Sequence, residues 1–210
     1  MDEHVPDRSH YAAGYLSGWR LHSIAEQASL ALEIAPRTAL EIGVGAGISV
    51  AMLRAAGVAV TTVDIQPELK PDLVADVRSL PLDDGSHDVV ICCQVLEHLP
   101  YEEFGKAVRE LRRVARRRLV LSLPDIERQV SVTLRAPILG ARRFDRSFRA
   151  PRVDASWRRH RLEEMGHYWE IGVDGIRPRD IASHLASAGF GQIRTHRLHE
   201  RAWHRFFVAE

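Results

Sequence analysis

Cysteine is scarce in this 210-residue chain, which contains only Cys92 and Cys93. The two are adjacent within an apolar run that is typical of a buried strand. Because neighbouring residues on a strand point to opposite faces, they are poorly placed for a disulfide or for binding one metal ion together. We therefore expect two free thiols and a reducing, cytoplasmic setting.

The chain also lacks a long hydrophobic run. No apolar stretch approaches the ~20 residues that a membrane-spanning helix needs, and the polar start at Met1–His4 does not resemble a secretory signal. Hydrophobic residues make up 45% and charged residues 27% of the sequence, which is typical of a folded globular chain. We therefore expect one folded domain over residues 1–210 without a membrane span.

The formal net charge of the chain is only +1. The overall charge therefore gives no reason to expect nucleic acid as a partner. The cations are almost all arginine, and nine of these arginines fall within residues 135–161. Such a stretch is consistent with a solvated face. It is also consistent with binding of an anionic acceptor or RNA, for which Phe144, Phe148 and Trp157 could stack on bases.

Strand-like and helix-like patterns alternate along most of the chain. Helices are predicted at 15–34, 48–54, 101–115 and 181–188, and strands at 39–43, 58–64, 73–76, 88–93, 118–123, 192–198 and 203–209. This alternation predicts a doubly wound α/β fold with a mostly parallel sheet and helices on both faces. The predicted organisation is an N-terminal helical segment (1–37), a first half of the sheet (38–124), an irregular insertion (125–175) and a closing helix with two strands (176–210).

A glycine-rich turn joins the first predicted strand to the next helix. Gly43, Gly45 and Gly47 let the backbone turn sharply and let a ligand approach closely. The dinucleotide fingerprint would place its third glycine at Ile48 instead. Glu41, two residues before the first glycine, suits a ligand with a cationic amino-acid end better than one with a pyrophosphate.

Further polar side chains follow the next predicted strands. Asp64 ends the second strand, where doubly wound folds place an acid that binds ribose. Asp76 follows the third strand; it could accept a hydrogen bond from an adenine amino group, with Val77 and Ile65 against the ring, or it could cap the next turn. Gln94 follows the fourth strand, at the sheet edge where ligands bind.

Taken in order, these motifs resemble the type 11 class I methyltransferases over residues 38–124. The matching motifs are Glu41-x-Gly43-x-Gly45-x-Gly47, Asp64, Ala75-Asp76-Val77, Leu80-Pro81-Leu82, Asp88-Val89-Val90 and Glu97-His98-Leu99. The resemblance implies a Rossmann-like seven-stranded sheet whose last strand is antiparallel, with S-adenosyl-L-methionine as cofactor. It also implies that the Gly43–Gly47 loop holds the methionine moiety, Asp64 the ribose, and Asp76 with Val77 the adenine.

Three residues are candidates for catalysis. His98 follows the fourth strand and could face a substrate or be a structural histidine, while its neighbour Glu97 could pair with an arginine. The segment 166–172 could fold over the cofactor and bring His167 or Glu170 to the acceptor as a general base. It could instead be a loop anchored by Trp169 with an acid at the surface. A metal site of His98, His167 and Glu170 is a further option, but no ligand spacing supports it, so none is expected.

Aromatic residues also recur near the N-terminus. Tyr11, Tyr15 and Trp19 are spaced four residues apart, which would place them on one face of a helix. They could roof the cofactor or pack in the core.

The predicted reaction is methyl transfer to an oxygen or nitrogen nucleophile of a small molecule, and the arginines would suit an anionic one. The absence of an Asn-Pro-Pro-Tyr-like tetrapeptide after the fourth strand favours small acceptors over amino groups of bases. Three alternatives stay open: an RNA methyltransferase that uses residues 135–161, a non-catalytic protein that binds S-adenosylmethionine, and a nicotinamide-dependent oxidoreductase.

Overall fold

The computed structural model describes residues 16–136, 140–148, 160, 162–198 and 203–210, with the backbone alone at 128–136 and 140–148. Tyr11 and Tyr15 lie outside these residues. The same holds for most of the arginine-rich stretch, none of whose side chains is described except that of His160. Within the described residues, no helix has both the length and the apolar character needed to cross a membrane.

Apart from a short helical segment at 162–165, the described residues contain four α-helices and nine strands. In chain order they are α1 (Gly18–Leu32), β1 (Thr38–Ile42), α2 (Ile48–Ala55), β2 (Ala59–Asp64), β3 (Leu73–Val74), β4 (His87–Cys93), α3 (Tyr101–Val114), β5 (Ala115–Pro124), β6 (Arg128–Ala136), β7 (Gly140–Phe148), α4 (Pro178–Ser187), β8 (Ile193–Arg197) and β9 (His204–Ala209).

Seven of these strands form one sheet in the order β3-β2-β1-β4-β5-β9-β8. All pairs from β3 to β5 are parallel, whereas β9 is antiparallel to both β5 and β8. The predicted doubly wound sheet with an antiparallel last strand is thus confirmed. The strand order reverses between β1 and β4, and in such sheets ligands bind at the carboxyl ends of the strands beside this switch point.

Alternate residues of the central strands face two separate hydrophobic cores. Leu119, Leu121 and Phe207 join one core with residues of α3 and α4. Val120 and Phe206 join the other with residues of α1. This division follows from the period of two along a strand, and it confirms that helices cover both faces. Apolar burial on both faces explains why the strands are continuous hydrophobic runs.

Four elements differ from the predictions by two or more residues at a boundary, and one of them is β5, which begins at Ala115 rather than at residue 118. Helix α1 is shorter than the predicted 15–34, and β3 ends at Val74, before Asp76. Helix α4 begins at Pro178 rather than at residue 181 because Asp180 accepts a hydrogen bond from the backbone N–H of Arg177 at 2.8 Å. Proline is well suited to the first helical position, where its missing N–H would have no intrahelical partner.

The insertion at 125–175 is more regular than predicted. Strands β6 and β7 pair as an antiparallel hairpin, from Arg128 opposite Phe148 to Ala136 opposite Gly140. The insertion begins at Asp125, which is fully buried and accepts hydrogen bonds from Nε of Arg197 at 2.8 Å and Nε of Arg205 at 2.6 Å. These charge-assisted bonds fix the start of the insertion to β8 and β9.

Candidate active site

The glycine loop crosses from β1 to α2 at the switch point. Gly43, Gly45 and Gly47 have φ angles of 82°, 51° and 71°, a left-handed region that side chains with a Cβ disfavour. At Gly43 a Cβ would also lie 2.6 Å from Cγ2 of Val95. The loop after β1 and the loop after β4 are therefore in direct contact, and only glycine permits that contact.

Glu41 is buried beneath this loop. Its Oε1 accepts a hydrogen bond from Oγ of Ser49 at 2.6 Å, while Oε2 has no hydrogen-bond partner. Burial raises the pKa of the carboxyl to about 8. A buried acid with one unsatisfied oxygen fits a ligand that brings a cationic group, as the sequence indicated.

Asp64, at the end of β2, holds the glycine loop in place. Its Oδ2 accepts from the backbone N–H of Val44 at 2.9 Å, and its Oδ1 from the N–H of Gln66 at 3.0 Å. A carboxylate has about four acceptor positions, so these two bonds leave capacity for ligand hydroxyls.

A small pocket of about 100 Å³ adjoins Asp64 and is lined in part by Ile65, Asp76 and Val77. The Asp76 carboxylate also accepts from the backbone N–H of Arg78 at 2.7 Å and from its Nε at 2.9 Å. The guanidinium of Arg78 lowers the pKa of this carboxyl. Asp76 therefore both stabilises the following turn and lines the pocket, and its contact with adenine stays a prediction.

Gln94 connects β4 to the site through an uncommon backbone conformation. Its φ is 58°, which is unfavourable for a residue with a Cβ and is often found at functional sites. The backbone N–H of Gln94 donates to the carbonyl of Ser122 at 2.9 Å, and its Nε2 donates to Oγ of Ser122 at 3.1 Å. These bonds hold the backbone of Gln94 in the conformation in which the next side chain, Val95, faces Gly43.

Glu97 and His98 follow on a short 3₁₀ turn. Glu97 is fully buried, and within the described part of the chain neither carboxylate oxygen has a hydrogen-bond partner, so no described arginine makes the pairing that was considered. Burial raises the pKa of Glu97 to about 7. Nδ1 of His98 donates to the carbonyl of Gly166 at 2.9 Å.

The segment 166–172 packs against this turn. The N–H of Tyr168 donates to the Glu97 carbonyl at 2.8 Å, and Nε1 of Trp169 donates to the Leu99 carbonyl at 3.0 Å. His167 bonds through Nδ1 to Oε1 of Glu170 at 2.8 Å. Glu170 is fully buried, so the alternative of a surface acid is wrong, although Trp169 does anchor the loop as expected.

A larger cavity of about 380 Å³ lies beside the small pocket and shares Gly43, Gln94, Val95 and His98 with it. Its remaining lining is Trp19, Arg20, Ser23, Ile24, Gln27, Glu41, Val44, Gly45, Ala46, Gly47, Ile48, Ser49, Cys93, Glu97, Pro124, Met165, His167, Trp203 and His204. The cavity thus joins the glycine loop to His98 and His167. Glu170 lies behind His167 and outside the lining.

Several lining residues were not among the sequence-based candidates. Ser49 has a recognisable signal, since it lies in the first turn of the helix after the glycine loop. No sequence signal points to the other four, because they reach the cavity from α1, the insertion and the region of the last strand. These four are Arg20, Met165, Trp203 and His204.

The described site combines a glycine loop, a buried acid below it and an acid at the end of the next strand. A family model described as a methyltransferase domain matches residues 40–121, which contain all three. The residues that this model matches identify the cofactor half of the chain as that of a class I S-adenosylmethionine-dependent methyltransferase. S-Adenosylmethionine is the cofactor of this methyltransferase, and the unsatisfied oxygen of Glu41 beside the open glycine loop fits its cationic amino-acid end.

Solved structures resemble the methyltransferase in fold. The 1,6-didemethyltoxoflavin-N1-methyltransferase of Burkholderia thailandensis is 17% identical, with a TM-score of 0.59 over 96% of this chain and 83% of that one. The magnesium protoporphyrin IX methyltransferase of Synechocystis PCC 6803, solved with S-adenosylhomocysteine, is 21% identical, with a TM-score of 0.60 over 96% of this chain and 90% of that one. A comparison with curated proteins finds no match.

Proposed function

We propose that the enzyme methylates an oxygen or nitrogen nucleophile of a small anionic molecule bound in the larger cavity. The observation that carries the proposal is the junction of the two pockets at Gly43, Gln94, Val95 and His98. A cofactor that spans this junction would present its reactive end to the side of the cavity that His98 and His167 line.

In this proposal the cofactor lies along the ends of β1, β2 and β4. The Gly43–Gly47 loop receives the methionine moiety, and the Glu41 carboxylate faces its ammonium group. Asp64 accepts hydrogen bonds from the ribose, and Gln94 contacts the cofactor at the junction.

The small pocket then receives the adenine. Asp76 accepts from its amino group, while Val77 and Ile65 contact the ring. Ile65 is 42% exposed in the described structure, and an adenine ring over it would remove that apolar surface from water.

The acceptor occupies the part of the larger cavity lined by Trp19, Arg20 and His204. Oγ of Ser23 is hydrogen-bonded to Nδ1 of His204 at 2.7 Å, and Trp19 packs edge-on against the His204 ring at 5.7 Å. The guanidinium of Arg20 favours an anionic acceptor, and the aromatic side chains favour a planar one.

Bound S-adenosylmethionine supplies an already activated methyl group, so the protein's main contribution is orientation, worth up to roughly 7–11 kcal/mol. His98 and His167 can take a proton from the acceptor. Glu170 positions the His167 ring and stabilises its protonated form. A positioned base of this kind typically contributes about 10²–10⁴-fold.

Isothermal titration with S-adenosylmethionine, S-adenosylhomocysteine and NADH tests the cofactor assignment first. We expect micromolar binding of the first two and no heat with NADH. A folded protein that binds neither would refute the site, and one that binds NADH would favour the oxidoreductase alternative.

Release of S-adenosylhomocysteine with a panel of small hydroxyl, amine and carboxylate acceptors tests the reaction. His167→Gln should reduce turnover at least tenfold and leave S-adenosylhomocysteine affinity within twofold, because only the proton transfer is affected. Glu163→Gln, at an exposed nearby position, is the matched control. Unchanged turnover in His167→Gln would remove His167 from the mechanism, and no turnover with any acceptor would favour the non-catalytic alternative.

The RNA alternative relies on side chains of residues 135–161, which lie outside the described side chains apart from His160. A steep fall of RNA binding with salt would support it.

The cytoplasmic setting also stays part of the proposal, because Cys92 and Cys93 are free thiols that face opposite cores.

A further inference from the structure

Glu97 is buried and makes no ion pair within the part of the chain that the structure describes. The side chain has 0% exposure, and among the described residues neither carboxylate oxygen has a hydrogen-bond partner. Buried carboxylates in proteins are normally paired, hydrogen-bonded or bound to a metal, because an unsatisfied one costs several kcal/mol. The residue therefore points to a cationic ligand.

Two histidines stand beside Glu97. One ligand atom from each of Glu97, His98 and His167 lies within 4.8 Å of the other two. The imidazole rings of the two histidines are edge-on, with their centroids 4.9 Å apart. Ligands about 2.1 Å from one ion lie at most about 4.2 Å apart. The three ligand atoms lie near this limit, and binding an ion requires their side chains to move closer together.

Both rings are also oriented as metal-binding imidazoles usually are. Nδ1 of His98 donates to the Gly166 carbonyl at 2.9 Å, and Nδ1 of His167 bonds to the buried Glu170 carboxylate at 2.8 Å. A carbonyl or carboxylate on one ring nitrogen places the proton there and leaves the lone pair on Nε2. The Tyr168 N–H bond to the Glu97 carbonyl links the two segments that supply the ligands.

We propose that Glu97, His98 and His167 bind a divalent transition-metal ion such as Zn²⁺ or Mn²⁺. Two imidazoles and one carboxylate favour such ions over Mg²⁺, which prefers oxygen ligands. All three residues line the larger cavity, so a fourth position faces the space assigned to the acceptor. This binding site differs from the sequence-based expectation of no metal, which considered Glu170 as the acid.

The ion would change how the acceptor loses its proton, and this consequence rests on the proposed function. When the ion is bound, both imidazole lone pairs are engaged, and the histidines act as bases only in the metal-free enzyme. An acceptor hydroxyl at the fourth position would have a lowered pKa and would release its proton to solvent. Acceptors that present an oxygen would then be favoured over amines.

Metal binding is tested without cofactor or acceptor. The purified protein is stripped with a chelator and titrated calorimetrically with Zn²⁺, Mn²⁺ and Mg²⁺, and Co²⁺ absorption reports the ligand set. We expect one equivalent of Zn²⁺ with micromolar or tighter affinity and little binding of Mg²⁺. His98→Gln, His167→Gln and Glu97→Gln should each weaken Zn²⁺ binding at least tenfold.

The control is His22→Gln, an exposed histidine outside the cavity lining, which should bind Zn²⁺ like the parent. Circular dichroism and S-adenosylhomocysteine titration establish that each variant is folded. Equal Zn²⁺ affinity in parent and His167→Gln would overturn the site, as would no binding by protein that binds S-adenosylhomocysteine. Loss of S-adenosylhomocysteine binding alone would instead count against the proposed cofactor site.

Discussion

Glu41→Gln should stabilise the ligand-free protein and weaken its cofactor binding. Glu41 is fully buried under the glycine loop, and burial raises its pKa from 4.5 to about 8. The side chain therefore takes up a proton on folding at neutral pH. Glutamine has the same shape, needs no proton and can still accept the hydrogen bond from Ser49.

The magnitude follows from linkage between folding and proton binding. In the unfolded chain Glu41 loses its proton above pH 4.5, whereas in the folded protein it keeps it until about pH 8. The free energy of unfolding therefore falls as the pH rises through this window and is level above it. At about 1.36 kcal/mol per pKa unit, the cost at pH 7 is roughly 3 kcal/mol, and the Gln variant does not incur it.

Urea unfolding at pH 5 and pH 7.5 measures this difference. The stability gained by Glu41→Gln should be below about 1 kcal/mol at pH 5 and roughly 4 kcal/mol at pH 7.5. Glu68→Gln, at an exposed position, should show no gain that grows with pH. An equal gain at both pH values, or a loss at pH 7.5, would refute the reasoning.

Cofactor binding should change in the opposite direction. An ion pair between Glu41 and the ligand's ammonium group is absent in the Gln variant, so S-adenosylhomocysteine affinity should fall at least tenfold, as calorimetry can measure. Unchanged affinity would mean that Glu41 does not face the ligand.

The remaining predictions concern the glycine loop and the insertion. Asp64→Ala should weaken S-adenosylhomocysteine binding about ten- to a hundredfold in calorimetry, and unchanged affinity would remove Asp64 from the site. Gly43→Ala should lower the free energy of unfolding in urea by about 2–4 kcal/mol, because it combines backbone strain with the clash against Val95. Gly47→Ala should lower it by only about 1–2 kcal/mol, because nothing lies within 4 Å of the added Cβ. Equal costs for the two variants would contradict the close approach of Val95 to Gly43. Asp125→Asn should cost about 3–5 kcal/mol by removing the buried carboxylate that pairs with Arg197 and Arg205, and a loss below about 1 kcal/mol would contradict that pairing.

The sheet could be predicted because each of its strands is indicated by residues that are neighbours in the sequence. Each strand is a short apolar run, and each helix carries its own period, so alternation alone indicated the doubly wound fold. The hairpin of β6 and β7 was missed although Val130, Val132 and Leu134 alternate with polar residues. The many arginines nearby favoured interpretation as an irregular, solvated insertion.

The site was predictable on the cofactor side and less so on the acceptor side. Glu41, Asp64 and the glycines follow strands at fixed spacing, so sequence order places them at one edge. The surroundings of Glu97 instead depend on His167, 70 positions further along the chain. No local pattern reports a contact between such distant segments, and the buried state of Glu97 could not be inferred from its sequence neighbours.

The contact between Gly43 and Val95 restricts how this site can evolve. An alanine Cβ at position 43 would lie 2.6 Å from the valine methyl, and the residue would also meet the strain of a φ of 82°. The order of mutations therefore matters: Val95→Ala removes the clash and leaves only the backbone strain to be offset, whereas the reverse order meets both at once. The two positions form an epistatic pair, although more than fifty residues separate them in the chain.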